Sequence, residues 1–268
     1  MRSLDEDRAP GGWCRRTPGQ RENPLNQQEW PKDTLVARLS PRARRELLEL
    51  GALSTFGARQ TVLRQGASSH HVLVILAGHV KVRVDTEFGG PVLLALRGRG
   101  DLLGEMSVFE SLPRSANVVT CSTVQARVIR DARFHEFLDR YPEAWAVVAR
   151  GLSERLRWAN RRRADFVACP APVRVSRVLA DIAQRYGERT DAGWDLDVSL
   201  TQLEIASLAG VALATLEKAL QVMQGHGLVR RRYRRIVVED LGGLCRFGEL
   251  DRENPYQYGV GGPDVAQS

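Results

Sequence analysis

The hydrophobic repeat of this chain changes once, near Pro142, and that change restricts the folds open to it. Between residues 57 and 130, Val80 and Val82 alternate with polar neighbours such as Lys81, the period-two pattern of half-buried strands. Glycines punctuate this stretch as turns. After Pro142 the apolar residues recur every three or four positions, as they do in helices. The sequence therefore predicts an α+β protein in which an antiparallel β-roll precedes a helical part.

A long amphipathic helix is predicted directly after the roll. Its narrow apolar stripe consists of Trp145, Val148, Leu152, Leu156 and Ala159. Such a stripe favours pairing with a second copy of the same helix, and packing against the helix's own domain is the alternative. Two prolines within residues 169–172 end the helix and indicate a hinge.

The residues beyond the hinge have the pattern of a winged helix-turn-helix. Residues 201–204 (Thr-Gln-Leu-Glu) form a capping box that begins one helix, and Gly210 ends it. A second helix follows, with Leu216 and Leu220 on its buried side. Two apolar segments then flank the arginine-rich residues 230–235 and predict a two-stranded wing with positive charge at its tip. A helical hairpin of another small domain and a solvated charged turn are the alternatives.

Composition narrows the possible partners. The net charge is +7 and the pI about 9.7, which suits a polyanion such as DNA. All but three of the 39 basic residues are arginines, the exceptions being Lys32, Lys81 and Lys218. The four cysteines lie far apart without a C-x-x-C pair, so no metal site is predicted.

Several function classes are not expected. The sequence shows no secretion signal and no apolar run long enough to cross a bilayer, so we expect a cytoplasmic protein with reduced thiols and no membrane contact. It also contains no nucleophile–base pair, metal motif or Walker loop, and we therefore expect no enzymatic activity.

These patterns divide the chain into five parts. We expect a disordered N-terminal tail, a roll with flanking helices, a dimerisation helix, a winged helix-turn-helix and a flexible C-terminal tail, at residues 1–30, 31–139, 140–168, 169–240 and 241–268.

One group of residues in the roll predicts a small anionic ligand. Gly104, Glu105 and Met106 stand at a turn, and Arg114 and Ser115 follow after a nine-residue step from Glu105 to Arg114. A guanidinium pairs with two phosphate oxygens at once, and a carboxylate accepts from a ribose hydroxyl. Backbone N–H groups at the turn add donors. This combination fits a cyclic nucleotide, and a surface Glu–Arg ion pair across a turn is the alternative.

Residues 103–116, here called the cassette, resemble the phosphate-binding cassette of cyclic-nucleotide-binding domains. With the order of roll, long helix and winged helix-turn-helix, they make roughly residues 35–240 similar to the bacterial cyclic-AMP receptor protein and fumarate–nitrate regulator family. The resemblance implies a homodimeric transcription regulator that binds double-stranded DNA and is controlled by cyclic AMP or cyclic GMP. It also allows RNA polymerase as a partner.

The same resemblance assigns roles within the ligand site. Glu105 would bind the ribose hydroxyl, and Arg114 and Ser115 would bind the phosphate. Members of the family contact the base with a Thr-Ser pair on the long helix, where this chain has Ala159 and Asn160. Only Asn160 can hydrogen-bond there, so the identity of the base is open.

The resemblance also assigns the DNA contacts. They lie at the start of the first helix, along the second helix and on the wing: Thr201, Gln202, Ala212, Leu213, Ala214, Thr215, Lys218, Gln221, Arg230, Arg231, Arg232, Arg234 and Arg235. Family members often begin the second helix with Ser-Arg-Glu-Thr, whereas this chain loses the polar cap, at a cost of about 1 kcal/mol. Leu213 and Ala214 cannot hydrogen-bond base edges. We therefore expect looser base preference, with affinity resting on charge and DNA shape.

Three functions remain open from the sequence. The preferred one is a transcription regulator that responds to a cyclic nucleotide. The second is a regulator of the same fold with another effector or none. The third is a cyclic-nucleotide-binding interaction protein whose helix-turn-helix no longer reads DNA.

Overall fold

The computed structural model describes residues 29–87, 89–196, 199–232 and 235–249. Its first half is a roll of two four-stranded antiparallel sheets, ordered β1-β8-β3-β6 and β2-β7-β4-β5. The strands are β1 (Ala52–Phe56), β2 (Thr61–Leu63), β3 (His71–Ala77), β4 (Val80–Val84), β5 (Val92–Arg97), β6 (Leu102–Leu103), β7 (Asn117–Thr120) and β8 (Val124–Arg130).

Short helices surround the roll. They are α1 (Leu35–Arg38), α2 (Pro41–Glu49), α3 (Glu105–Glu110) and α4 (Asp131–Arg140). Ser40 caps α2 by accepting from the Ala43 amide, and Pro41 occupies the first turn.

The predicted long helix is α5, which spans Pro142–Ala168. After a break at Cys169 and Pro170, the next helix, α6, spans Ala171–Tyr186. The hinge is therefore shorter than the predicted residues 169–172, because proline is tolerated in the first turn of α6.

The predicted apolar stripe of α5 is divided between two environments. Val148 is buried in the core that the roll shares with α5, so for this residue the alternative, packing against the helix's own domain, holds in place of pairing with a second copy. Trp145 and Leu156 remain 41% and 62% exposed, and Val167 is 84% exposed. One side of α5 packs against its own domain, and a separate side remains apolar and exposed.

The C-terminal unit is built on α6. It contains β9 (Glu188–Thr190), β10 (Gly193–Asp195), α7 (Gln202–Ala209), α8 (Leu213–Gly225), β11 (Val229–Arg232), β12 (Arg235–Val238) and α9 (Leu241–Phe247). Helices α7 and α8 cross at 93°, and β11 and β12 form the wing. The Thr201–Glu204 capping box and the buried side of α8 are confirmed.

The expected flexible tail from residue 241 is wrong for Leu241–Phe247. Asp240 caps α9 by accepting from the Gly243 amide at 2.8 Å, and Leu244 is fully buried. A Cβ atom on Gly243 would lie 2.4 Å from the Asp240 carboxylate. The glycine that suggested disorder is therefore a close-packing residue.

The expected N-terminal tail is also wrong at its end. Trp30 is buried and the Arg99 guanidinium lies over its ring at 4.1 Å. The remainder of that expected tail, residues 1–28, lies outside the described residues, as do residues 250–268 of the C-terminal one.

The C-terminal unit is docked on the roll through α7 and β5. The Lys81 ammonium lies 2.8 Å from the Glu204 carboxylate, and the Leu93 amide donates to the Ser207 hydroxyl at 2.9 Å. Leu93, Leu96 and Cys121 of the roll belong to the same apolar core as the helices of the C-terminal unit.

Across the described ranges, no individual helix combines the length and the apolar composition needed to cross a membrane. The bent pair α7 and α8 meets that requirement only when the two helices are taken together.

Candidate ligand site and DNA interface

The cassette turns at Gly104, which has a φ of 83°. A Cβ atom at this position would lie 2.5 Å from the Arg114 guanidinium and 2.9 Å from the His71 carbonyl oxygen. Only glycine satisfies both the positive φ and this close approach. The turn begins α3 and places Glu105 in its first residue.

Arg114 is 4% exposed and all three of its guanidinium nitrogens donate to the protein itself. Nε donates to the Ser69 hydroxyl at 3.0 Å, and Nη2 donates to the His71 carbonyl at 2.6 Å. Nη1 donates to the Gly104 carbonyl at 2.7 Å and to the Ser107 hydroxyl at 2.5 Å. Burial lowers the pKa of Arg114, while the negative charge of Glu105 raises it.

Glu105 is 3% exposed and connects the cassette to the long helix. Its carboxylate forms an ion pair with Arg155 of α5, and Arg155 also donates to the Leu102 carbonyl at 2.6 Å. The alternative interpretation of the sequence pattern was a Glu105–Arg114 ion pair across a turn, whereas the direct partner of Glu105 is Arg155.

The other predicted ligand residues are more accessible. Met106 is 45% exposed, and Ser115 is exposed with its hydroxyl 4.0 Å from the Met106 sulfur. Asn160 is exposed on α5. Arg155 and Asn160 are five residues apart, which is about 140° around a helix, so Asn160 faces away from the cassette of its own chain.

Sequence reasoning missed the residues that hold Arg114 in place. Ser69 and His71 lie 45 and 43 residues before Arg114, and the folded roll brings them together, with backbone hydrogen bonds that join Arg114 to Gly66 and Ala67. Ser107 was within the cassette motif, and its spacing from Gly104 could have identified it. Within the described part of the chain no cluster of His, Cys, Asp or Glu is arranged to hold a metal ion.

The second helix of the helix-turn-helix presents its predicted residues to solvent. Ala212 is the N-cap and provides no side-chain hydrogen bond, and Leu213 is 40% exposed. The remaining predicted contacts on α8 are exposed or half-buried: Ala214, Thr215, Lys218 and Gln221. At the start of α7, Thr201 is exposed and its hydroxyl accepts from the Glu204 amide, while Gln202 is half-buried.

The wing arginines are not equivalent. Arg230 Nε lies 2.8 Å from Glu239, and Arg235 Nη1 lies 3.3 Å from Asp195. Arg231 and Arg232 are exposed, and neither forms an ion pair with another of the residues described. Arg234 lies outside the described residues. Arg231 and Arg232 are therefore the described arginines of the wing best placed to meet a phosphate.

The fold and the site together define a cyclic-nucleotide-binding domain joined to a winged helix-turn-helix. Family models agree: residues 53–141 match the cyclic nucleotide-binding domain, and residues 173–247 match the Crp-like helix-turn-helix domain. The chain is 32% identical over 192 residues to the CRP-like cAMP-activated global transcriptional regulator of Mycobacterium tuberculosis, covering 71% of this chain and 85% of that protein. The chain belongs to the CRP family of transcription regulators.

More distant relatives agree with this assignment. The cAMP-activated global transcriptional regulator Vfr of Pseudomonas aeruginosa is 24% identical, over 68% of this chain and 87% of its own. The c-di-GMP responsive regulator CLP of Xanthomonas campestris has the same fold, with a TM-score of 0.66 and 20% identity, over 75% of this chain and all of that one. A CRP/FNR family regulator from Thermus thermophilus gives a TM-score of 0.63 at 22% identity, and the match covers 74% of this chain and 98% of that one.

The predicted family, fold class and function are confirmed. The protein is a DNA-binding transcription regulator under the control of a cyclic nucleotide.

Proposed function

We propose that this regulator responds to cyclic AMP, acts as a homodimer joined through α5, and binds inverted-repeat DNA. The observation that carries the ligand assignment is the buried Arg114 and Glu105 on either side of the Gly104 turn. Both groups are held in fixed positions by an ion pair and by hydrogen bonds within the chain, which sets a cation and an anion at one turn for a ligand that carries a phosphate and a hydroxyl. The cAMP-activated relative at 32% identity supports cyclic AMP as that ligand.

Ligand binding would exchange partners within the cassette. The phosphate would take the guanidinium hydrogen bonds that Arg114 now gives to the Ser107 hydroxyl. The ribose hydroxyl would compete with Arg155 for the Glu105 carboxylate. Because Arg155 lies on α5, this exchange alters how firmly the long helix is tied to the roll.

The exposed side of α5 supports the homodimer. Leu156 and Val167 are large, exposed and on the side that does not pack against the roll. Pairing of two such helices would bury these side chains. It would also bring Asn160 toward the cassette of the other copy, which gives that residue a role its own cassette does not offer it.

Calorimetry with cyclic AMP and cyclic GMP tests the ligand assignment. We expect saturable heat with cyclic AMP, a weaker response to cyclic GMP, and a rise in melting temperature with the tighter ligand. Absence of both heat and stabilisation with either nucleotide at about 1 mM contradicts the proposal and favours a regulator with another effector or none.

The two-helix unit and the wing support specific placement on DNA. Two copies of α8 related by dimer symmetry would enter major grooves about 34 Å apart. Selection of binding sites from random DNA should therefore return an inverted repeat with weakly defined bases.

The binding of cyclic AMP and of DNA should be thermodynamically coupled. If cyclic AMP increases the affinity for operator DNA by some factor, operator DNA must increase the affinity for cyclic AMP by the same factor. Equal ligand affinity with and without the operator would rule out this coupling.

The remaining parts of the proposal follow from the regulator role. We place the protein in the cytoplasm, with RNA polymerase as a further partner and without catalytic activity. Co-purification of RNA polymerase on operator DNA, with and without cyclic AMP, measures the partner directly. Failure of RNA polymerase to be retained under either condition contradicts this part.

A further inference from the structure

A cavity of about 930 Å³ lies between the roll, α5 and the DNA-binding domain. Its walls are α1, the turn after β5, one side of α5, α6 and the end of α7. Small-molecule sites in proteins usually measure about 300–1,000 Å³, so this cavity can hold a nucleotide. Of the cassette residues, Glu105 reaches its edge, whereas Arg114 and Ser115 do not line it. The cavity therefore adjoins the cyclic nucleotide site at Glu105 and its partner Arg155, and the rest of its wall lies outside the cassette.

The charge of the cavity wall is strongly unbalanced. Twelve arginines and six carboxylates line it. Five of the six carboxylates already form ion pairs with arginines of the wall, through Asp33, Glu105, Glu154, Asp165 and Asp181. The wall therefore keeps an excess of positive charge that its own carboxylates do not neutralise.

Two adjacent arginines of α5 show this excess at the level of single atoms. Arg161 Nη1 and Arg162 Nη2 are buried and have no hydrogen-bond partner in the described protein. The Arg162 guanidinium lies over the Trp158 ring at 4.4 Å. Burial lowers the pKa of Arg162 to about 10, although Asp181 and Asp165 oppose the effect. A buried donor without an acceptor is destabilising, and phosphate oxygens are suitable acceptors.

Dimerisation through α5 would leave most of the α5 wall of the cavity uncovered. Gly151, Trp158 and Arg162 line it at the spacing of one helix face. The exposed Leu156 and Val167 lie on a different face, more than about 100° away around the helix. A partner helix docked on the apolar face would therefore leave the Gly151, Trp158 and Arg162 part of the wall uncovered, while Leu152 and Arg163, which also line the cavity, lie next to that face.

We propose that this cavity is a second effector site, for a nucleotide that carries at least two phosphate groups. A cyclic mononucleotide brings a single phosphate charge, which is small against the excess of the wall. A diphosphate or a cyclic dinucleotide offers the several acceptor oxygens that paired guanidinium groups bind. Because the wall includes both domains, the occupant holds the DNA-binding domain against the roll.

The test uses the full chain, with ATP and cyclic di-GMP as probes and AMP as the one-phosphate comparator. Calorimetry is run without and with excess cyclic AMP, which separates this cavity from the cassette. We expect saturable binding of at least one of the two probes, tighter than AMP by tenfold or more and retained when cyclic AMP is present. Loss of probe binding on adding cyclic AMP would place the probes in the cassette and overturn the proposal.

Two variants locate the binding. Arg161→Gln with Arg162→Gln should weaken probe binding at least tenfold, whereas Arg130→Gln with Arg133→Gln removes the same charge from exposed positions and should leave it unchanged. Gly151→Leu fills the cavity without removing charge, because open space surrounds Gly151, and should also abolish binding. Equal effects of both arginine pairs, unchanged binding in Gly151→Leu, or no saturable binding of either probe up to about 1 mM overturns the assignment.

Discussion

Arg114 supports the fold and the ligand site with the same guanidinium group. It binds two hydroxyls and two carbonyls of its own chain; Ser107 is buried, and Ser69, His71 and Gly104 are half-buried. Removing the guanidinium leaves these groups without a donor as well as removing the phosphate contact. Its role in binding and its role in folding must therefore be measured separately.

We expect Arg114→Leu to weaken cyclic AMP binding by about 2–5 kcal/mol, on the order of 30-fold to several thousand-fold. Calorimetry gives the affinity, and chemical denaturation gives the change in unfolding free energy. Ser69→Ala removes one acceptor of Arg114 without removing the charge, so it should cost about 1 kcal/mol of stability and change affinity little. Wild-type affinity in a folded Arg114→Leu protein would contradict the assignment.

The sequence identified Glu105 and Arg114 because their chemistry and spacing are local. It could not show Ser69 and His71 as partners of Arg114, since those contacts join segments that lie more than 40 residues apart in the sequence. It also could not show that Arg155 takes the Glu105 carboxylate, because that contact depends on how α5 crosses the roll.

Helix α5 has two functions that its sequence pattern did not separate. Val148 packs in the roll core, whereas Leu156 and Val167 are exposed. A period of three to four residues predicts an apolar helix face but does not say which neighbour covers each residue. The apolar surface of α5 that a second copy could cover is therefore narrower than the predicted stripe, and it is displaced toward Leu156 and Val167.

The double variant Leu156→Glu with Val167→Glu should convert the dimer to monomer. Both side chains are exposed in the single chain, so the variant should fold, and pairing would bury like charges against each other. Light scattering at micromolar concentration measures the mass. Leu53→Glu, an exposed leucine on the roll, is the control and should remain dimeric. A wild-type chain that is already monomeric would refute the dimer.

Helix α9 shows where composition misleads. Its two glycines resemble a linker, but Gly243 is buried, with the Asp240 carboxylate and Leu228 where a Cβ atom would stand. Packing of this kind depends on neighbours in the folded state, so a pattern of residue types cannot show it.

Gly243→Ala should therefore destabilise the protein by about 1–3 kcal/mol. Gly225→Ala is the matched control, because open space surrounds Gly225 at the end of α8, and alanine is better tolerated in a helix. Urea denaturation of both variants compares them. Equal stability of the two would show that α9 is not packed as described.

At the scale of the whole molecule, affinity for DNA should depend mainly on the wing. Replacing Arg231 and Arg232 by Ala should weaken binding to operator and random DNA about equally. It should also reduce the slope of log affinity against log salt by about 0.9 for each phosphate that is no longer neutralised. Lys218→Ala should instead reduce discrimination between sequences. A sharply defined motif and an unchanged salt slope in the wing variant would show that α8 supplies the specificity.

Cys121 reports on the contact between the domains. Burial raises the pKa of its thiol to about 12, so it should react slowly with a thiol reagent, whereas the half-buried Cys169 should react faster. Lys81→Ala breaks the contact with Glu204 and should speed labelling of Cys121 several-fold. Lys32→Ala is the matched control. Mass spectrometry of the labelled peptides measures both sites, and equal rates at Cys121 in the two variants would contradict the docked arrangement.

The continuous core across β5 and α7 limits how freely this regulator can be recombined. Leu93, Leu96 and Cys121 pack with the helices that read DNA, so neither half has a complete polar surface at their junction. A chimera that transfers residues 173–247 to a foreign roll would expose apolar side chains unless the recipient strand carries their counterparts. The roll and the DNA-binding domain of this chain therefore have complementary apolar surfaces, and replacing one of them requires redesign of the other.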